Sequence, residues 1–378
     1  MGFWLIVLRF ADEGKAANEA RTRMAVYLVT GAAGFIGSHL VDALLERAGG
    51  DTVRGLDNLC TGRLSNLSRL ASPGAGSVRA GSVLDRIDFR EADLRDFDAL
   101  LSACEGVDCV FHEGALPSVP RSVKEPVPSH TSNIDGTFNL LEAARQMGVK
   151  RVVYAASSSA YGNQPGFPRV ETMAPQPLSP YAVQKLAGQY YMQAYANVYG
   201  METVSLRYFN IFGPRQVPNS PYSGVMAKFI LQILKGERPT IQGDGEQGRD
   251  FTYIDNAVQA NLLAAAAPAE KVSGRVFNVA CGERYTLNQT YAVIARLLGY
   301  AEGPLYGPPR PGDVRDSLAD ISAAREAFGY APAVGFEEGL QRTIDWYKAE
   351  FRRSAAADED HLNMIEKEWR EGKYRGCS

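Results

Sequence analysis

Tyr181 and Lys185 stand four residues apart, just after a run of serines, and these residue types together can move a proton on and off an alcohol. Residues at i and i+4 share a helix face, so a helix opening at Ser179-Pro180 sets the phenol beside the ammonium. A phenol has a pKa of about 10 in water, and a neighbouring cation favours the phenolate, which makes Tyr181 a usable base near neutral pH. Before them, Ser157-Ser158-Ser159-Ala160-Tyr161-Gly162 follows Arg151-Val152-Val153-Tyr154-Ala155-Ala156, which reads as a buried strand. The serines therefore fall where a strand ends, and open parallel sheets bind ligands at their strand carboxyl ends. Tyr-x-x-x-Lys also occurs by chance on many helices, so its meaning depends on what precedes it.

A nucleotide loop precedes it. The run 25–30 (Ala-Val-Tyr-Leu-Val-Thr) reads as a first strand. Gly31-Ala32-Ala33-Gly34-Phe35-Ile36-Gly37 follows at once, and an apolar-periodic helix over 38–47 stops at Gly49-Gly50. Strand, tight turn and helix N-terminus are the context in which a glycine-rich loop meets a pyrophosphate, here with GxxGxxG spacing. A second strand over 52–57 ends in Asp57, 20 residues beyond Gly37. An acid there accepts bonds from ribose hydroxyls and repels a 2′-phosphate, favouring NAD over NADP. A plain turn starting at Asp57-Asn58 leaves that distance unexplained.

The β-α alternation continues with a third strand over 87–92, running into Asp93-Leu94. Asp93 reads equally as an adenine contact or a helix N-cap. A fourth strand over 108–112 leads into Glu113-Gly114-Ala115-Leu116-Pro117-Ser118, where Gly114 and Ala115 let backbone approach a cofactor. His112 is expected as a buried, satisfied ring. Helices are expected over 133–147 and from Pro180 to about Tyr199, with a sixth strand over 203–207. Beyond it, Gly- and Pro-rich segments replace the alternation and suggest a smaller domain closing over the sheet. Its loop arginines Arg249 and Arg310 are either a phosphate clamp or ordinary loop ion pairs.

At 378 residues, 45% hydrophobic and with a formal charge of -3, the chain has no basic stripe for nucleic acid. Five scattered cysteines without CxxC fit a reducing cytoplasm, and four histidines without ligand spacing suggest no metal. Residues 71–86 look like an inserted surface loop. The apolar run in residues 1–23 is too short to span a bilayer; the segment reads as a disordered extension, or as translation assigned upstream of a start at Met24. A charged tail from about Lys348 reads as a solvated helix or frayed end.

From Met24 to about Tyr347 these motifs resemble the extended short-chain dehydrogenase/reductase family, and within it the UDP-sugar 4-epimerases. The resemblance implies an α/β fold: a Rossmann doubly wound parallel sheet over 24–207, with a smaller α/β substrate domain mainly over 208–347, the boundaries interleaved. It implies that Gly31, Gly34, Phe35, Ile36, Gly37, Asp57, Asn58, Asp93, Leu94 and Tyr208, with Tyr181 and Lys185, hold NAD. Ser157, Tyr181 and Lys185 match the catalytic serine, tyrosine and lysine, Ser157 because it stands four residues before Tyr161-Gly162. On the substrate side it implies Ser118, Ser158, Ser159, Asn210, Gly224, Val225, Arg249, Arg310, Asp313 and Ser317, the last being a gate beside the sugar's C2 substituent.

A small Ser317, with Pro120-Arg121-Ser122 and Gly213-Pro214-Arg215-Gln216, is most similar to the group acting on UDP-N-acetylglucosamine and its galacto epimer. Pro117 departs from that group, which often has Gly there. Nucleotide-sugar dehydratases and decarboxylases carry an acid after this serine, where the chain has Ser158, Ser159 and Ala160. A UDP-glucose 4-epimerase is separated only by Ser317 and its loops, and a non-enzymatic NAD sensor tends to lack Tyr-x-x-x-Lys. The resemblance also implies a homodimer built from the helices after Asn133 and Pro180; the composition read above adds a cytoplasmic protein with no nucleic-acid or membrane partner.

Overall fold

The apolar runs align as parallel strands: β1 (Val26–Thr30), β2 (Thr52–Asp57), β3 (Asp88–Glu91), β4 (Cys109–His112), β5 (Arg151–Ser157), β6 (Glu202–Tyr208) and β7 (Arg275–Val279). They form one sheet in the order β7-β6-β5-β4-β1-β2-β3, every neighbouring pair parallel. This computed structural model describes residues 24–47, 50–67, 86–217, 224–309 and 315–356. The expected N-terminal extension, nearly all of the 71–86 loop, and Arg310 and Asp313 lie outside them.

Parallel sheets are covered on both faces, and successive side chains of a strand serve opposite cores. Leu28, Val110 and Val152 pack on one side with α2 (Phe97–Cys104), α3 (Gly136–Gln146) and α4 (Pro180–Tyr199). Their chain neighbours Val29, Phe111 and Val153 pack on the other with α1 (Phe35–Glu46) and α5 (Ile254–Ala266). The strand order reverses between β1 and β4, which opens a crevice at the carboxyl edge.

After β6 the chain makes short pairs, Ile211–Phe212 with Thr252–Tyr253, Gly248–Arg249 with Tyr285–Thr286, and Thr240–Gln242 with Leu305–Gly307. It returns once to the main sheet as β7, whose Phe277 and Val279 are fully buried beside β6. The charged stretch from Lys348 to Ala356 continues a final helix, Phe336–Ala356. Among the described residues no helix is long and apolar enough to cross a membrane.

Candidate active site

A cleft of about 510 Å³ runs along the carboxyl ends of β1, β4, β5 and β6. Its first half is built by the turn between β1 and α1. Gly31 has φ +67°, and a Cβ there would lie 2.8 Å from the Gly114 nitrogen; at Gly37 a Cβ would lie 2.1 Å from the Gly31 carbonyl oxygen. Only glycines let the loop fold this tightly against α1 and the β4 loop. The N-cap Gly34 brings no side chain to the first turn, which holds no acid, so the N–H groups there face the cleft open to an anion.

Asp57 closes the end of β2 with a buried carboxylate that accepts from the Ala33 and Leu59 amides at 3.0 and 2.8 Å. Burial pushes its carboxyl up, against those hydrogen bonds. Asn58 donates to Asp93 at 2.7 Å. Burial also pushes the Asp93 carboxyl up, but bonds from Arg95 and Asn58 outweigh it and hold Asp93 below its ordinary value. The N-cap reading of Asp93 is corrected, because the α2 cap is Asp96, accepting from the Ala99 amide at 3.0 Å. Gly31, Gly34, Phe35, Ile36, Gly37, Asp57, Asn58, Asp93 and Leu94 all line the cleft. An uncapped helix start beside a glycine turn, with a carboxylate at the next strand end, fits a dinucleotide carrying a pyrophosphate and free ribose hydroxyls.

The second half holds the proton-handling groups. Ser179 caps α4, accepting from the Ala182 amide at 3.2 Å, and Pro180 supplies the first turn. The Tyr181 amide donates to the buried Ser122 hydroxyl at 3.0 Å. One turn on, the Lys185 ammonium donates to the Ala155 carbonyl at 2.9 Å and lies 5.0 Å from the Tyr154 ring centre. Ser157, the last residue of β5, receives the Ser159 amide and hydroxyl at 3.2 and 2.9 Å, and its hydroxyl stands close enough to the Tyr181 phenol to favour the phenolate. Ser157, Tyr181 and Lys185 are thus brought together.

The electrostatics correct one expectation. Desolvation pushes the Tyr181 phenol up to about 12; the Ser157 bond acts against that, and nearby Glu113 adds to it. Lys185 spends its charge elsewhere: desolvation lowers its pKa, with Glu113 opposing. Proximity along the helix face is therefore not enough by itself to make Tyr181 a phenolate. Glu113, which sequence reasoning did not single out as functional, lines the cleft and accepts from the Tyr208 hydroxyl at 2.7 Å; Asn261 in turn donates to that hydroxyl at 2.6 Å. Desolvation pushes the Glu113 carboxyl up, opposed by the Tyr208 bond and by Lys185. An acid at the end of β4 was the available signal. His112 is fully buried between the Thr30 and Thr137 hydroxyls at 2.8 and 2.9 Å, and burial lowers its pKa to about 3, so it stays neutral.

The far wall is made by the stretch after β6. Asn210, at φ +39°, donates to the Asp250 carbonyl at 2.9 Å and to the Ser317 hydroxyl at 3.0 Å. Asp250, fully buried, accepts from the Cys281, Gly282 and Ala319 amides at 3.0, 3.1 and 3.1 Å and so braces the segment that carries Ser317. Ser158, Ser159, Asn210, Arg249 and Ser317 line the cleft. Gly224 and Val225 line an adjoining hollow of about 220 Å³, which shares Asn210, Ile211 and Arg249 with it.

Ser118 is placed differently. It caps the short helix Val119–Lys124, accepting from the Arg121 amide at 3.3 Å, while Leu116 and Pro117 take the cleft wall. Pro214 and Arg215 brace α1, through His39 at 3.1 Å and Asp42 at 2.5 Å. The helix expected from Asn133 opens instead with a π-turn, Thr131–Asp135, where the Asn133 side chain bonds both Leu116 backbone groups at 2.7 and 3.0 Å.

Residues 27–280 match the NAD dependent epimerase/dehydratase family. A Mycolicibacterium smegmatis protein named UDP-glucose 4-epimerase is 39% identical over 85% of this chain and 98% of its own. A UDP-N-acetylglucosamine 4-epimerase from Methanobrevibacter ruminantium, solved with UDP-N-acetylmuramic acid, is 39% identical, with a TM-score of 0.78 over 87% of this chain and 100% of that one. A Bacillus cereus UDP-glucuronic acid 4-epimerase variant, solved with UDP-4-deoxy-4-fluoro-glucuronic acid and NAD, is 32% identical, with a TM-score of 0.74 over 86% of this chain and 99% of that one.

Proposed function

The chain belongs to the NAD dependent epimerase/dehydratase family, and from that premise we propose that this NAD-dependent UDP-sugar 4-epimerase interconverts UDP-N-acetylglucosamine and UDP-N-acetylgalactosamine. Ser317 carries the reading. It is a small residue on the far wall of the cleft, and its hydroxyl is already engaged by the Asn210 amide and the Asp250 N–H at 3.0 and 3.3 Å. Nothing bulky projects from that position toward a C2 substituent.

In this reading Tyr181 accepts the proton of the sugar 4-hydroxyl, and Ser157, beside the phenol, holds the reacting oxygen. Bound NAD supplies the hydride acceptor and donor, and in its oxidised form a positive ring that favours the phenolate. Lys185 stays anchored on the Ala155 carbonyl and would hold a ribose hydroxyl of the cofactor from there. The 4-keto sugar turns over in the cleft, and Tyr181 returns the proton on the new face. The diphosphate falls to Arg249 and Arg310, and the uridine side to Asp313. The uridine end falls to the hollow at Gly224 and Val225. We take the protein to be cytoplasmic and homodimeric.

The test is NMR product analysis after incubating purified protein separately with UDP-N-acetylglucosamine and UDP-glucose, without added cofactor. Conversion of the acetylated sugar supports the reading; conversion of UDP-glucose alone rejects it. Tyr181→Phe is expected to lose about 10²–10⁴-fold in turnover.

A further inference from the structure

Arg169 lines the cleft although only 2% of it is exposed. Its guanidinium lies 4.4 Å from the Phe167 ring centre, and its Nη1 donates to the Pro165 and Gly166 carbonyls at 3.4 and 3.1 Å. Among the described residues no carboxylate pairs with it, and its Nε and Nη2 donors have no protein partner. Neither nitrogen is among the fully buried unpartnered atoms, so both are open to the cleft and to an acceptor brought into it.

Register says what it faces. The Arg169 amide donates to the Leu318 carbonyl at 2.7 Å, and the Asp320 amide donates to the Arg169 carbonyl at 2.9 Å, so Arg169 stands opposite Ala319 in a parallel bridge. Ser317 stands two residues before Ala319, and while Ala319 packs into the core, Ser317 and Arg169 both line the cleft. Arg169 and Ser317 are therefore adjacent parts of one wall, the wall read above as the one beside the sugar's C2 substituent.

We infer that Arg169 is a specificity residue for a 2-acylamino sugar, its idle N–H donors binding the acyl carbonyl oxygen. Ser317 leaves the room, and Arg169 supplies the attraction. This rests on the reading of the cleft given above and adds a residue to it. A hydroxyl at C2 is too short to span the same gap, so UDP-glucose forgoes the contact.

The test uses Arg169→Met, which keeps an unbranched stem and removes the donors, and Arg169→Lys, which restores a cation. Steady-state kinetics are measured with UDP-N-acetylglucosamine, UDP-glucose and UDP-glucuronate, and UDP affinity by calorimetry reports whether the cleft is intact. Arg169→Met is expected to lose about 10–100-fold in kcat/KM on the acetylated sugar, the scale of a charged hydrogen bond. On UDP-glucose it should stay within about threefold, with UDP affinity unchanged and partial recovery in Arg169→Lys. Equal losses on both sugars, loss of UDP binding, or no loss at all overturn the inference. So does a wild type that prefers UDP-glucuronate and forfeits that preference in Arg169→Met, since the guanidinium then serves a carboxylate. A wild type inactive on the acetylated sugar rejects the parent reading by itself, before any variant is made.

Discussion

Glu113 sits where two pKa values meet. Its negative charge raises the pKa of Tyr181, whose phenol burial has already pushed up to about 12, and it raises that of Lys185, which burial lowers. Removing that charge therefore moves both neighbours the same way, downward. In Glu113→Gln the base ionises at lower pH and the ammonium loses its proton at lower pH. The whole bell of kcat against pH should slide toward acid, by about half to one unit. A profile in which neither limb moves would show that Glu113 is electrostatically silent, and one in which a single limb moves would show that its charge reaches only one of the pair. Tyr181 and Lys185 were legible in the sequence because a helix fixes the relation of i and i+4. Glu113 was not, because its partner Tyr208 lies 95 positions away in the chain and meets it only once β4 and β6 share a sheet.

At the scale of elements, the catalytic geometry depends on how closely α4 lies on β5. A Cβ on Gly188 would stand 2.3 Å from the Tyr154 hydroxyl, so alanine there must lift the helix or displace a fully buried ring. Gly188→Ala is expected to destabilise the protein by about 1–3 kcal/mol in urea unfolding, and to lower turnover because Tyr181 and Lys185 ride on the same helix. Gly303→Ala, with nothing within 4 Å of the added carbon, is the matched control and should stay within about 0.5 kcal/mol.

The elements themselves were readable to different degrees. β1, its glycine turn and α1 announce themselves through an apolar run, punctuating glycines and a 3.6-residue period. β7 does not. Arg275-Val276-Phe277-Asn278-Val279 looks like any short strand of the irregular second half, and only its pairing with β6 makes it part of the nucleotide sheet. The π-turn at Thr131–Asp135 was equally hidden, since it follows from Asn133 reaching Leu116 rather than from any local breaker.

For the whole molecule, the outer faces of α3 and α4 leave an apolar surface in water. Phe138 and Tyr191 are 40% and 37% exposed with ring centres 5.6 Å apart, and Tyr190, Val198 and Tyr199 stand out beside them. A surface of this kind suits a second copy of the chain, packed helix on helix. Size-exclusion chromatography with light scattering should give a dimer for the wild type and a monomer for Tyr191→Asp. A monomeric wild type would remove the dimer from the account.

The late arrival of β7 also bears on how the chain is made. Residues 209–274 separate it from its neighbour β6, and a ribosome adding ~5–20 residues per second needs roughly 3 to 13 s for such a stretch. Through that interval β6, once folded, presents a row of unsatisfied amides and carbonyls that any passing strand could capture. The nascent protein therefore carries a window of vulnerability that closes only when its own seventh strand emerges, and a chaperone present during synthesis has its use there.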